Sequence, residues 1–420
     1  MAALFAFAPL LLISAAAAAP LDALIAEAWT QSPDVARAAA DVAAAEARVA
    51  QLSVVLPNPE VEAGVRSDIV FARQGELDAE VAVLQELAWP GARLARKDGA
   101  ETSVRAARLR LALARLDVAA RVEAGVGASA AAADTARVRE EIATGARSLA
   151  EAARRRAEAG AAGAVEATLA RADEALAEAA LADAQASLAA ELAALCALVA
   201  RENCGALSSQ VSWPALAALP VGIASADSAE RVDVRAATLG VEAARRQVDG
   251  AELDRLPTAR LGIGYGFDQS VLDSPFLPEN VVDPDHVAGV TLAVTLPIWD
   301  WKTGEIALAR AEAARADADL RGVQRAATAS VSTALARFRA ASTGAERLAA
   351  TEADVTRALS DVQNAYVAGA LGLDDALTTR DRLLRTRLEL VDAKRRQVEA
   401  HAAALVALAD PRLVGIEVAP

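Results

Sequence analysis

The chain is poor in aromatic side chains, which make up 3% of its 420 residues although 54% are hydrophobic, largely through alanine. Such material cannot fill a large globular core. Alanine favours helix and lets neighbouring helices approach closely, so helices packed side by side are expected instead. A basic surplus is also missing: the net charge is −14, and nucleic acid, which needs a positive surface, is excluded as a partner. One methionine and two histidines, His286 and His401, far apart in sequence, give no soft-metal site. Neither a metal nor a cofactor is expected. Beyond the first twenty residues there is no apolar run of about 18 residues, so a membrane-spanning helix is not expected at all. Only two cysteines occur, Cys196 and Cys204. In an exported protein they read as a disulfide candidate, with two unpaired thiols as the alternative.

Proline is absent where it would do most harm. None occurs between Pro90 and Pro214 or between Pro297 and Pro411, and both intervals carry Ala, Leu, Arg and Glu at helical spacing. Each is interrupted by glycines, at Gly160 and Gly163 and at Gly369 and Gly372. Glycine supplies the positive φ that lets a helix end and the chain reverse, so each interval is expected to be a helical hairpin, over 92–203 and 302–410. The expected helices are 92–158 and 302–367 outward, 164–203 and 373–410 back, with 21–52 and 228–255 in addition. At about 1.5 Å per residue, a short pair end to end matches one outgoing helix of roughly 100 Å.

The chain is written twice. "RAEAGAAGAVEATLAR" from Arg156 and "AYVAGALGLDDALTTR" from Ala365 align at an offset of 209, sharing Gly160/Gly369, Gly163/Gly372 and Arg171/Arg380, with an acid at Glu166/Asp375. "DVARAAADVAAAEARV" from Asp34 and "DVRAATLGVEAARRQV" from Asp233 align at an offset of 199, and Pro57 then meets Pro257. Ordered matches point to an internal duplication. The first repeat is placed at 20–210, the second at 228–420, with an equatorial linker at 211–227. Residues 1–19, with an apolar core from Leu4 to Ile13 followed by small residues, have the layout of a signal peptide, although the usual basic start is missing.

Between the helices, over 57–90 and 257–299, alternation replaces helical spacing, which marks strands. Val61, Ala63 and Val65 alternate with Glu60, Glu62, Gly64 and Arg66; Leu261, Ile263, Tyr265 and Phe267 alternate with Arg260, Gly262, Gly264, Gly266 and Asp268. Val290, Leu292, Val294, Leu296 and Ile298 alternate with Thr291, Ala293 and Thr295. Phe71, Trp89, Tyr265, Phe267, Phe276, Trp299 and Trp301 lie in or beside these strands, where the aromatic girdles of an outer-membrane barrel would be. A soluble β-subdomain covered by helices is the alternative. Four strands cannot close a barrel, since eight is the practical minimum, and open edges in lipid leave backbone groups unsatisfied. Several chains must therefore share one barrel.

With this plan, the two glycine turns and "LPIWDWKTGEIALARAEA" at 296–313, the chain resembles the TolC-like outer-membrane efflux proteins over its whole mature length. "LPNPEVEAGV" and "LQELAWPGARLARKDGAE" are similar to the CzcC-like heavy-metal branch. The resemblance implies a mainly α fold with a small β part: a homotrimer with a long α-helical barrel of coiled hairpins under a 12-stranded β-barrel, four strands per chain. It implies an outer-membrane exit duct with outer-membrane lipid around it, partnered by a periplasmic adaptor and an inner-membrane RND-type pump. The turns at Gly160, Gly163, Gly369 and Gly372 would be adaptor-docking tips, with ordinary hairpin turns that meet no partner as the alternative. Asp375 lies where the family carries an acid lining the tunnel constriction, with Asp374 beside it and Glu166 in the other repeat; solvated acids at helix starts are the alternative. Thr378 stands where some relatives carry a second acid.

"GIGYG" lies inside an alternating strand and is no dinucleotide fingerprint, and "WKTG" lacks the framework of a phosphate loop. No catalytic constellation stands out, so an enzyme is not expected. Metal-cation efflux is the leading expectation. Drug efflux or type I secretion would use the same architecture, and a periplasmic coiled-coil scaffold without a pore is the rival of a different class.

Overall fold

The computed structural model describes residues 21–54, 57–68, 75–87, 90–160, 163–201, 207, 211–219, 231–272 and 281–417. Helices α1 (Leu21–Gln31) and α2 (Pro33–Ser53) lead into strands β1 (Glu60–Ser67) and β2 (Leu77–Leu87), then helices α3 (Pro90–Glu158) and α4 (Ala164–Val199). The order recurs with α5 (Val232–Leu253), β3 (Thr258–Leu272), β4 (Val281–Thr295), α6 (Thr303–Ala349), α7 (Glu352–Val367) and α8 (Leu373–Leu408), followed by a 3₁₀ turn at Pro411–Val414. The expected signal peptide lies outside the described residues, as do Phe71, Trp89 and Phe276.

Two expected helices are each divided. The stretch 21–52 breaks before Pro33, which opens α2 at the first helical position, where its missing N–H costs nothing. The stretch 302–367 breaks at Ala350 and Thr351. There the Thr351 hydroxyl and amide both bond the Leu348 carbonyl, at 2.8 and 3.0 Å, and tighten the turn. By contrast α3 runs unbroken for 69 residues, about 100 Å of helix. By length and composition α4 could cross a membrane, contrary to the expectation from apolar runs. Its apolar stretch packs into the core instead, where Leu192, Leu195, Cys196 and Val199 are buried with residues of α1 and α3, and Asp173, Glu174 and Glu178 earlier on the helix pair with Arg380 and Arg147.

The chain forms two compact units, and each draws on both repeats. One comprises residues 1–38, 111–232 and 325–420, the other 39–110 and 233–324. In the first, Leu24, Ile25 and Ala28 of α1 pack with Val118 and Val122 of α3 and Leu195 and Val199 of α4. Helices α3 and α8 approach so closely that a Cβ at Gly127 would lie 2.6 Å from a Val398 methyl. One turn before that contact, Glu123 meets His401. His401 is 0% exposed; its Nδ1 lies 2.5 Å from the Glu123 carboxylate and its Nε2–H donates to the Ala217 carbonyl at 2.9 Å. Burial alone would lower the His401 pKa, but the hydrogen bond and charge of Glu123 outweigh it and hold the imidazole above the ordinary histidine value. In the second unit, the helices are joined by ion pairs, Arg108–Glu46 at 2.7 Å and Arg310–Glu252 at 2.5 Å among them, and the four strands form one antiparallel sheet in the order β1-β2-β3-β4.

Candidate functional site

Register sorts the sheet's side chains into two faces. One row runs Val61–Val83–Ile263–Val290, the next Ala63–Val81–Tyr265–Ala288 and the next Val65–Ala79–Phe267–His286. The opposite face carries Glu60, Glu62, Asp78, Glu80, Glu86, Asp268, Asp283 and Asp285, with Arg66 and Arg260 as its cations. Ion pairs confirm the sorting, because Arg66 reaches Asp78 at 3.2 Å and Glu80 at 3.9 Å, and Arg260 reaches Glu60 at 3.8 Å. Every Asp, Glu, Lys or Arg of the four strands is on that side. Within the chain the apolar face is bare: Val61 is 67%, Ile263 65% and Val290 73% exposed. A subdomain covered by helices is therefore not what the sheet forms. Among the described residues, strands β1 and β4 each leave one edge unpaired. Trp299 and Trp301, past the end of β4, are exposed beside Leu296 and Ile298.

The two glycine turns are near copies. Gly160 and Gly369 have φ of 71° and 76°, the left-handed region where a side chain is strained. Gly163 and Gly372 cap the returning helices in extended geometry, φ −77° and ψ 151° against φ −76° and ψ 157°. Only the first glycine of each pair is thus required by backbone conformation. At the far ends of α4 and α8 the resemblance continues, with Ala200 and Ala409 both left-handed at φ 53° and 49°.

Beside these turns the two hairpins are tied together. Tyr366, at the end of α7, is 0% exposed and packs with Leu149, Ala153, Ala170, Leu373 and Ala376. Its hydroxyl donates to the Glu166 carboxylate of α4 at 3.0 Å, and the Arg156 guanidinium sits 5.2 Å from its ring centre. Burial, then the neighbouring Glu166, raises the Tyr366 pKa. Further along, Arg380 of α8 bonds Asp173 of α4 at 2.6 Å, yet among the described residues its buried Nε and Nη1 find no partner. Gln363 of α7 donates to the Ser148 hydroxyl of α3 at 2.8 Å.

Of the three acids expected at a constriction, Asp374 and Asp375 are exposed in the first turn of α8. Glu166 is instead partly buried and engaged with Tyr366. Tyr366, Asp173 and Arg156 were not singled out in the sequence; Arg380 stood there only as a repeat identity. Cys196 is buried and disulfide-bonded, and Cys204, the other cysteine of the chain, lies outside the described residues. Among the described residues no group of three or more His, Cys, Asp or Glu side chains is placed to hold a metal ion.

The family model described as outer membrane efflux protein matches residues 24–201 and 225–409. No curated protein sequence matches the chain. Among solved structures, the CmeC outer membrane channel of Campylobacter jejuni aligns with a TM-score of 0.75 at 17% identity, over 93% of this chain and 85% of that one. CusC aligns with a TM-score of 0.74 at 16% identity, over 92% and 91%. VceC of Vibrio cholerae aligns with a TM-score of 0.72 at 21% identity, over 93% and 96%. At these identities the structural matches carry the fold; the family match carries membership.

Proposed function

Because the chain belongs to the outer membrane efflux protein family, and so is an outer-membrane channel protein, we propose that three copies pool their sheets into one 12-stranded barrel that serves as the exit duct of a tripartite efflux system. The observation that carries this reading is the two-faced sheet with two open edges. Lipid satisfies neither an unpaired strand edge nor a charge, whereas a closed barrel pairs every edge and turns its charges toward water. The apolar rows then meet lipid, and the helices extend into the periplasm.

Metal cations are the proposed cargo. Eight carboxylates against two guanidiniums leave six negative charges per chain on the inward face, eighteen in a trimer, and a wall of one sign concentrates the opposite ion. The segments similar to the CzcC-like branch support the same cargo. Asp374 and Asp375 would add carboxylate rings near the tunnel entrance, and the duplicated turns at Gly160, Gly163, Gly369 and Gly372 would be where a periplasmic adaptor docks, handing over solute from an inner-membrane RND-type pump. A disulfide between Cys196 and Cys204 would brace the linker that follows α4. Purified protein in planar bilayers, under a salt gradient, tests the proposal: discrete conductance steps with a cation-selective reversal potential are expected, and either no steps or anion selectivity would overturn it.

A further inference from the structure

On the apolar face of the sheet one row carries a histidine. Its members are Val65, Ala79, Phe267 and His286. Toward the helices the rows run through Tyr265 and Ala288 to Ile263 and Val290; toward the hairpin ends the next row is mixed, with Ser67, Leu77, Gln269 and Pro284. His286 therefore stands at the boundary between the apolar band and the distal rim, on the side that meets lipid if the barrel reading holds. Its ring is exposed, 5.2 Å from the Phe267 ring, and its Nδ1 lies 2.6 Å from the Tyr265 hydroxyl.

That short hydrogen bond contains one proton, and the pair owns a second. If the Tyr265 hydroxyl donates to Nδ1, the neutral imidazole carries its proton on Nε2. If Nδ1–H donates to the hydroxyl oxygen, the hydroxyl proton is the one left over. In both tautomers a single N–H or O–H donor remains, and among the described residues no acceptor for it is present. Hydrocarbon cannot satisfy a donor, and leaving one dry is costly. An ionisable side chain in such a place is best explained by a polar partner at that depth. The acceptors at the edge of an apolar band are water and lipid headgroups, and of these the phosphate oxygens, being charged, accept the strongest bonds from a neutral or protonated imidazole. The aromatic rings beside it suit the same depth, since tyrosine and phenylalanine bodies lie in the band while the polar tips reach its edge.

We propose that Tyr265 and His286 form a headgroup site that holds the phosphate of a lipid in the leaflet around the distal rim of the barrel, fixing the depth at which the barrel sits. The inference rests on the barrel reading. Its test uses intact detergent-purified trimers titrated with dioleoylphosphatidic acid or, as the matched lipid without phosphate, dioleoylglycerol, with binding followed by native mass spectrometry. Wild type should bind the phosphatidic acid at least about tenfold more tightly than the glycerolipid, the discrimination given by one hydrogen bond to a charged acceptor. His286→Phe should abolish that preference and leave glycerolipid binding unchanged, while Phe267→Leu, which alters the same face without touching the donor, should retain it. Inorganic phosphate should not compete. Equal preference in wild type and His286→Phe, or displacement by free phosphate, would overturn the site. A nitroxide at Ala288→Cys separates this failure from that of the barrel: relaxation by oxygen means that the face meets lipid whatever the titration shows, whereas relaxation by a water-soluble nickel chelate would remove the barrel reading itself.

Discussion

The link between the hairpins beside the glycine turns can be weighed bond by bond. Tyr366→Phe removes the hydroxyl that reaches Glu166 at 3.0 Å and keeps the ring in its apolar pocket, 5.2 Å from the Arg156 guanidinium. Glu166 would retain Arg156 at 4.0 Å as its remaining partner. A hydrogen bond to a charged acceptor contributes about 1.5–3 kcal/mol, so local opening of this corner should become roughly ten to a hundred times more frequent. Arg380→Leu makes the informative contrast. It deletes a 2.6 Å ion pair, but Asp173 is 30% exposed and rehydrates, and the same change removes two buried donors that have no partner, each costing about 1–3 kcal/mol. The gain offsets the loss, and Arg380→Leu should disturb the corner less than the loss of one hydroxyl, although it removes a full charge. Hydrogen–deuterium exchange of the amides in 364–376, measured on trimers, reads the opening directly. Unchanged exchange in Tyr366→Phe, or faster exchange in Arg380→Leu than in Tyr366→Phe, would refute this ranking.

The His401–Glu123 pair should make the first unit sensitive to alkali. A histidine whose folded pKa is raised contributes stability that is complete below its ordinary value and is lost as pH rises through the raised one, so heat inactivation of trimers should accelerate on the alkaline side, and His401→Phe should flatten that dependence. His401→Ala, which strands the buried Glu123 carboxylate, should cost about 3–5 kcal/mol at neutral pH, read as a fall in trimer half-life at a fixed temperature. Gly127→Leu drives a side chain into Val398, 2.6 Å from the first added carbon, and should cost about 1–3 kcal/mol in the same assay. Replacing Gly369 and Gly372 by bulky residues should abolish crosslinking to the adaptor while trimers still reach the outer membrane; undiminished crosslinking would count against docking at these turns.

What could be read in the sequence was whatever is written locally. Alternation over 60–67 and 258–272 marks strands with two unlike faces, because side chains of a strand alternate by geometry whatever surrounds them. Gly160 and Gly369 mark the hairpin turns because only glycine takes their backbone angles without strain. The breaks at Pro33 and Thr351 show the limit of the same method. Pro33 is a local signal masked by helical spacing that continues on both sides of it, and Thr351 looks like any residue of a helix apart from its hydroxyl bond to the Leu348 carbonyl. The contacts that tie the hairpins were beyond reach for another reason. Tyr366 finds Glu166 across 200 residues and Arg380 finds Asp173 across 207, and no spacing rule connects positions brought together only by packing. Glu166 therefore matched Asp375 in the duplicated sequence, while in the fold one is bound to a tyrosine and the other stands in solvent.

Four strands with two open edges cannot stand alone in lipid, so the proposed wall around water takes three chains. Counting the chains in a particle extracted by mild detergent, by native mass spectrometry, tests it most directly. Three chains per particle, held together until denatured, are expected; a monomer that stays soluble without detergent would rule out the shared barrel.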